Sequence, residues 1–186
     1  VAISNCVIYD NRLAGVALEI VDGGAMDGIV VSNLTMKNVG CPLFIRLGNR
    51  ARPPVAGMDK PGVGVLRNVT VSNIEAIVSN PTGCSITGLP GHNVENVTLS
   101  NLRFTFPGNG TDPSQRRGKR DGSGPDPSWY AVPENEDKYP EFSMFGTLPA
   151  YGFFVRHVRN LRMDNVEVAF EQPDHRPAML CDDVRE

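Results

Sequence analysis

Hydrophobic and polar residues alternate in short runs along most of the chain, and Gly, Asn, Asp or Pro interrupts each run. The stretches DGIVVSNLTMKNVGCPLFI and RNVTVSNIEAIVSNPTGCSITGL show this pattern. No run keeps the 3.6-residue period of an amphipathic helix over roughly ten residues. The pattern therefore predicts β-strands of about three to six residues that are separated by tight turns.

A short phrase returns along the chain and ends each time in asparagine. The spacings between successive phrases are 28, 40, 28 and 64 residues. One unit of 28 residues explains them all if the second unit carries 12 additional residues and the last carries 36. The surplus falls at about 50–62 and 107–150, where we predict loop insertions. The phrases are AISN, VVSN, TVSN, TLSN and RMDN, ending at Asn5, Asn33, Asn73, Asn101 and Asn165.

Short strands that recur at a fixed period predict an all-β fold, and specifically a right-handed parallel β-helix (solenoid) of about four to five coils. A β-sandwich would not repeat a phrase at fixed period, and a propeller blade usually needs about 40 residues. The repeated asparagines are expected at left-handed corners, where their amides can form a ladder. We predict that residues 1–186 form the C-terminal part of one β-helix domain.

Length, composition and net charge limit the kinds of molecule that the protein is expected to bind. The chain has 186 residues, of which 40% are hydrophobic, so one core is expected. A net charge of −3 supplies no overall basic field for nucleic acid, and no apolar run is long enough to span a membrane. We therefore expect that the protein binds neither nucleic acid nor a membrane, and that it is a monomer. The chain begins at Val1 inside a strand-like pattern without a leader segment, which we interpret as part of a longer protein.

The four cysteines are widely spaced and lack the short spacing of zinc ligands. We predict small buried thiols, while two disulfides remain open as the alternative. The cysteines are Cys6, Cys41, Cys84 and Cys181.

Several longer phrases together resemble a known family. NCVIYDNRLAGVALEIVDGG, GVLRNVTVSNI and FGTLPAYGFFVRHVRNLRMDNVEV are similar to the C-terminal half of bacterial members of glycoside hydrolase family 28, the polygalacturonase family. The resemblance runs from Val1 to about Val184. It implies a right-handed parallel β-helix, no cofactor, and inverting hydrolysis of α-galacturonide linkages in pectin. Because pectin lies outside the cell, it also implies a secreted or periplasmic protein.

Three of the four motifs of that family have no counterpart in the chain. These are Asn-Thr-Asp, Asp-Asp and Gly-His-Gly, which would lie upstream of Val1. GHN at 91–93 is not Gly-His-Gly, and Asp182-Asp183 comes at the wrong end of the chain. Inverting hydrolysis needs a pair of carboxyl groups, and the family takes them from the absent motifs. We therefore predict no catalytic residue here and an inactive isolated chain.

The fourth motif, Arg-Ile-Lys, is altered. The stretch GVALE at 15–19 places Ala17 and Glu19 where the family has its two substrate-binding cations. Either a neighbouring coil supplies these charges, or the substrate differs, or the motif lies one coil upstream.

Arginines in PLFIRLGNRAR are the leading candidates for substrate binding. Arg46 and Arg50 follow the altered motif by one predicted coil. Because the guanidinium fork pairs bidentately with carboxylates, these side chains suit galacturonate, which carries one carboxylate per residue. In the alternative interpretation, Arg46 pairs with a stacked acid such as Glu19, and Arg50 and Arg52 are solvated.

Two further residues complete the predicted binding set. Tyr151 could stack on a sugar ring, and His92 follows a Pro-Gly turn near the expected cleft edge. In the long insertion, we expect the aromatic second half to fix the loop onto the coils, and the basic run at 116–120 is a weaker candidate for polyanion binding. The aromatic residues are Trp129, Tyr130, Tyr139, Phe142 and Phe145.

Strand alternation makes predictions near the C-terminal end. Arg156 and His157 are adjacent and should point to opposite sides of their strand. Arg176 is expected to form a closing ion-pair cluster with Asp182 and Asp183.

Two other functions remain open at this stage. A polysaccharide-binding or structural β-helix module without catalysis is the alternative to a hydrolase. A lyase is less favoured, because the sequence offers no tight cluster of acids near Arg46 that could hold calcium.

Overall fold

The computed structural model describes residues 1–108 and 131–186, and these residues form an all-β structure. The basic run at 116–120, Trp129 and Tyr130 lie outside the described residues. Nothing in the described ranges forms a helix that is long and apolar enough to cross a membrane. The strands are β1 (Ala2–Ile20), β2 (Ala25–Leu47), β3 (Val65–Val78), β4 (Cys84–Thr87), β5 (Val94–Phe106), β6 (Phe153–Phe170) and β7 (Met179–Arg185).

All pairings between these strands are parallel, and their register follows the sequence repeat. Ser4 of β1 lies beside Ser32, which lies beside Ser72 of β3. Ser72 lies beside Ser100, which lies beside Asp164 of β6. These offsets are the predicted spacings of 28, 40, 28 and 64 residues. The repeat in the sequence is therefore a repeat in space.

Two long strands each pair with different neighbours along their length. In β2, the segment 25–39 pairs with β3 and 44–46 pairs with β4. In β6, the segment 153–156 pairs with β4 and the segment 158–170 pairs with β5. The pairings β2–β3–β5–β6–β4–β2 therefore close into a ring around the apolar core.

Asparagines in left-handed conformation mark the bends of the strands, as predicted. The five repeated asparagines have φ between 51° and 58°. From Asn33 onward, each amide nitrogen donates to the side-chain oxygen of the asparagine before it, at 2.8–3.2 Å. A second ladder, at 2.6–2.8 Å, joins Asp27, Asn68, Asn96 and Asn160. Because these bends do not interrupt pairing, β2 runs for 23 residues, and the prediction of strands of three to six residues was wrong for most strands.

The core consists of apolar side chains stacked in register. Val31, Val71 and Leu99 occupy one such row and are fully buried. Burial of a side chain of this size stabilises the fold by about 1.5–3 kcal/mol. The thiols of Cys41 and Cys84 are free and buried, as predicted for small core residues. All four cysteines are free, but Cys6 is only half-buried and Cys181 is exposed, so the prediction of a buried thiol was wrong for Cys181.

The described half of the long insertion packs onto this core without forming a strand. Phe142, Phe145 and Leu148 are buried in the main apolar cluster. The prediction that aromatic residues fix the insertion is confirmed for Phe142 and Phe145. It was wrong for Tyr139, whose side chain is 70% exposed.

The asparagine ladder predicts a difference between two substitutions of Asn73. This residue donates to Asn33 and accepts from Asn101. Asn73→Ala loses both bonds and forces a Cβ-bearing residue to remain left-handed, so we expect a loss of about 2 kcal/mol or more in the free energy of unfolding. Asn73→Gly loses the same bonds without the Cβ penalty and should cost clearly less. Urea unfolding would measure both, and equal losses would contradict the conformational argument.

Candidate functional site

Register gathers five polar residues into one row across the sheet, here called the polar row. Glu19 lies beside Arg46, which lies beside Thr87. Thr87 lies beside Arg156, and Arg156 lies beside Asp182. Residues 131–136, here called the strap, lie against this row, and residues 142–148, here called the anchor, attach the same segment to the core.

Arg46 is fully buried at the centre of the polar row. One terminal nitrogen donates to Thr87 Oγ1 at 3.3 Å and to the carbonyl oxygen of Gly88 at 3.1 Å. The other donates to the strap carbonyls of Glu134 at 2.7 Å and Asn135 at 3.4 Å. Arg46 is therefore a clamp on the strap, and it is not open to solvent as a substrate-binding residue would be.

The surroundings of Arg46 are unusual for a cation. Burial is the main cause that lowers its pKa to about 10; Glu134 opposes the shift, and the charge of Arg156 adds to it. The guanidinium lies 5.4 Å from the ring centre of Phe145. No ion pair joins Arg46 to Glu19, so the predicted alternative of a pair between these two residues was wrong, while a binding role for Arg46 stays a prediction.

Arg156 holds the other part of the strap. Its terminal nitrogens donate to the carbonyl oxygens of Val132 at 2.6 Å and Pro133 at 3.2 Å. A side-chain oxygen of Glu134 lies 3.3 Å from one of these nitrogens. Burial lowers the pKa of Arg156, while Glu134 opposes this shift.

His157 lies between two carboxylates. Its Nε2 is 3.1 Å from Glu134 Oε1, and its Nδ1 is 2.7 Å from Asp183 Oδ2. The hydrogen bond with His157 contributes most to lowering the pKa of Asp183. The prediction that Arg156 and His157 point to opposite sides was wrong, since both reach Glu134. The reason is the left-handed backbone of His157, with φ of 53°, which breaks the alternation of the strand.

Four residues at the Glu19 end of the row form a more open surface, here called the rim: Glu19, Asp22, Arg50 and Tyr139. Arg50 Nε donates to Asp22 Oδ1 at 3.0 Å, and a terminal nitrogen of Arg50 pairs with the other carboxylate oxygen. The Arg50 guanidinium lies 5.4 Å from the ring centre of the exposed Tyr139. The rim therefore presents an aromatic ring beside a cation.

The pKa values of two carboxyl groups of the rim, those of Asp22 and Glu19, are shifted in opposite directions. The hydrogen bond from Arg50 is the main cause that lowers the pKa of Asp22 to about 2, with help from the backbone N–H of Arg52. Burial, followed by the charge of Glu141, raises the pKa of Glu19, and Arg50 opposes this shift. Glu19 therefore retains its proton to higher pH than Asp22.

The other predicted binding residues have separate surroundings. The ring of Tyr151 packs edge-on against Phe106 and Phe170, with centroids at 6.3 and 5.3 Å, and only 8% of the residue is exposed. His92 lies in an exposed turn whose backbone pairs with Leu89. The side chain of Arg52 is 69% exposed. Tyr151 therefore packs within the structure, and the binding roles of Tyr151 and His92 stay predictions. Arg52 is largely solvated, as the alternative interpretation predicted.

The predicted closing cluster around Arg176 was wrong. Arg176 pairs with Asp174 at 2.8 Å. It also donates to the carbonyl oxygens of Pro81 and Leu148, at 2.6 and 3.0 Å. Because Asp174 lies only two residues away, this short-range partner satisfies the guanidinium.

A groove follows the first asparagine ladder, away from the residues of the polar row. Its volume is about 440 Å³, and stacked asparagines form one wall. Glu75, Arg103 and Glu167 line it as well, and Arg103 donates to Glu167 at 3.2 Å. The amides and these charges largely satisfy one another, so we assign this groove a structural role.

The sequence did not single out two residues that organise the site, Asp22 and Glu134. Asp22 precedes Arg50 by 28 residues, which is one repeat unit, so the period alone could have paired them. Glu134 lies in the insertion, where no period exists, and no sequence signal indicated its position.

Within residues 1–108 and 131–186, no group of three or more His, Cys, Asp or Glu side chains could hold a metal ion. In comparisons with known proteins, no family model, no curated protein and no solved structure matches the chain. The polar row, the strap and the rim are therefore the physical basis for inferring what the molecule does.

The depressed pKa of Asp22 predicts how Asp22→Asn behaves with pH. Since the folded value of about 2 is below the ordinary value of 3.8, the carboxylate contributes stability above pH 3.8 that is lost as the pH falls to about 2. Asp22→Asn should therefore be less stable than the parent at pH 7, and the difference should vanish near pH 2. Thermal melts across this range would measure it. Asp59→Asn, at an exposed position of the first insertion, is the matched control. A deficit that is independent of pH would contradict the ion-pair explanation.

Proposed function

We propose that the chain is part of a right-handed parallel β-helix of the polygalacturonase-like type, and that the intact protein binds galacturonate polymers and hydrolyses them with inversion. In this proposal the present residues supply substrate-binding surface, and the catalytic acids belong to coils upstream of Val1. The protein needs no cofactor, acts as a monomer, and is secreted or periplasmic because its substrate is extracellular.

The pairing pattern supports the β-helical architecture. A coil of a solenoid runs through several sheet faces, so one long strand pairs with its neighbours at offsets of one repeat. The two parts of β2 and the two parts of β6 pair in this manner. Ladders of left-handed asparagines at the bends are the corners that such coils require.

The rim carries the functional proposal. Arg50 and Tyr139 place a cation and an exposed aromatic ring within 5.4 Å of each other. A galacturonate unit offers an apolar sugar face that suits an aromatic ring and a carboxylate that suits a guanidinium. Both groups of one ligand unit can thus be recognised at the rim.

Glu19 fits the same ligand despite standing where the resembled family has a cation. Burial and Glu141 raise its pKa, which favours the protonated form. A protonated carboxyl can donate a hydrogen bond to a sugar carboxylate, whereas an ionised one would repel it. We therefore propose that Glu19 contacts the substrate as a donor under acidic conditions.

Binding of trigalacturonate, measured by calorimetry, tests the proposal. Arg50→Ala removes a charge-assisted contact and should weaken binding by about tenfold or more. Tyr139→Ala should also weaken it, because the sugar loses its aromatic surface. Arg103→Ala is the matched control, since it removes an exposed arginine from a different face.

The outcome that would contradict binding at the rim is an equal affinity for parent, Arg50→Ala and Tyr139→Ala. Product analysis of the intact protein tests the reaction. Products with unsaturated ends would contradict hydrolysis and favour a lyase, and binding without any products would favour a carbohydrate-binding module.

A further inference from the structure

The strap satisfies the two buried arginines of the polar row with backbone atoms. Four consecutive carbonyl oxygens, those of residues 132–135, accept hydrogen bonds from Arg46 and Arg156 at 2.6–3.4 Å. A carboxylate ligand would use the same guanidinium donors. The strap therefore occupies the positions that an anion would take.

Charge balance under the strap is incomplete. Glu134 is the single carboxylate within ion-pair distance of either guanidinium among the residues described. Asp182 acts on Arg156, and Glu136 acts on Arg46, through space only. Two cations thus face one paired anion in a buried environment, where uncompensated charge is costly.

Hydrogen bonding in this network is also incomplete. The Nε atoms of Arg46 and Arg156 are buried without a hydrogen-bond partner in the described part of the chain, as is Glu134 Oε2. A partly satisfied buried network stabilises its closed state less than a complete one. The strap is therefore held less tightly by the guanidinium groups of Arg46 and Arg156 than its number of hydrogen bonds suggests.

The strap and the anchor are held by different forces. The anchor buries Phe142, Phe145 and Leu148. Every strap residue is exposed or half-buried, and apart from Val132, which packs against the apolar core, the contacts that hold the strap are polar. They include a bond from Asn49 N–H to the carbonyl oxygen of Glu136 at 2.7 Å. Polar contacts can be exchanged for those of a ligand, so the strap can lift while the anchor stays in place.

We propose that the strap is an autoinhibitory cover over an anion site formed by Arg46 and Arg156, and that carboxylate groups of an acidic polysaccharide displace it. Glu134 is the latch, because its side chain reaches both Arg156 and His157. The identity of the ligand rests on the proposed function, while the existence of the cover does not.

Arginine labelling of Glu134→Gln tests the cover without any ligand. This substitution keeps the size of the side chain and removes its charge. We expect phenylglyoxal to modify Arg46 and Arg156 at least about fivefold faster than in the parent, as read by peptide mass spectrometry. The exposed Arg103 serves as the internal reference, and equal thermal unfolding temperatures confirm an intact fold.

Glu136→Gln is the matched control. It removes the same charge from the same strap, but its side chain is exposed and forms no ion pair with the two arginines. Its labelling rates should equal those of the parent. Unchanged rates in Glu134→Gln, or equal acceleration in both variants, would overturn the latch.

Ligand binding tests the anion site. Since the latch opposes displacement of the strap, Glu134→Gln should bind trigalacturonate about tenfold tighter than the parent, and the ligand should protect Arg46 and Arg156 from labelling. Faster labelling without tighter binding or protection, while Arg50-dependent binding persists, would overturn the site beneath the cover.

A failure of the proposed function gives a different result. In that case neither the parent nor Glu134→Gln binds trigalacturonate. Protection of the two arginines by citrate in Glu134→Gln would then still support an anion site, and its absence would overturn it.

Discussion

The left-handed asparagine bend is the constraint on which the rest of the structure depends. Each bend turns the strand without ending its pairing, so one continuous segment serves two parts of the sheet. The amide nitrogen then donates to the preceding asparagine in the ladder, which fixes the register of neighbouring strands. A slip by one residue would turn apolar side chains outward and break the ladder at the same time. Core packing and the ladder therefore specify the same register.

That register decides which side chains become neighbours. Arg46, Thr87 and Arg156 are far apart in sequence, yet the pairing of β2, β4 and β6 places them in one row. Two guanidiniums in one row repel each other, and burial increases the cost of each charge. The strap supplies carbonyl oxygens that lower this cost. The insertion is thus more than an appended loop, because the polar row needs its backbone.

Periodicity explains why the sequence predicted the fold better than the site. Asn33 and Asn73 recur in equivalent surroundings, so their spacing carries information about strand pairing. The same period relates Asp22 to Arg50. Glu134 belongs to no repeat, and its contact with Arg156 depends on how the insertion packs. The prediction that Arg156 and His157 point to opposite sides was wrong because it assumed an extended backbone, whereas the φ of His157 is positive.

The two predicted arginines have different roles because of where they lie relative to the strap. Arg46 is beneath it, and its donors are occupied by Thr87, Gly88 and strap carbonyls. Arg50 lies at the rim, where Asp22 orients it and Tyr139 offers a ring beside it. A carboxylate arriving from solvent can approach the exposed part of Arg50 beside Asp22, but it can meet Arg46 only after the strap moves. An extended anionic ligand would therefore engage the rim first, and its binding energy there would help to displace the strap.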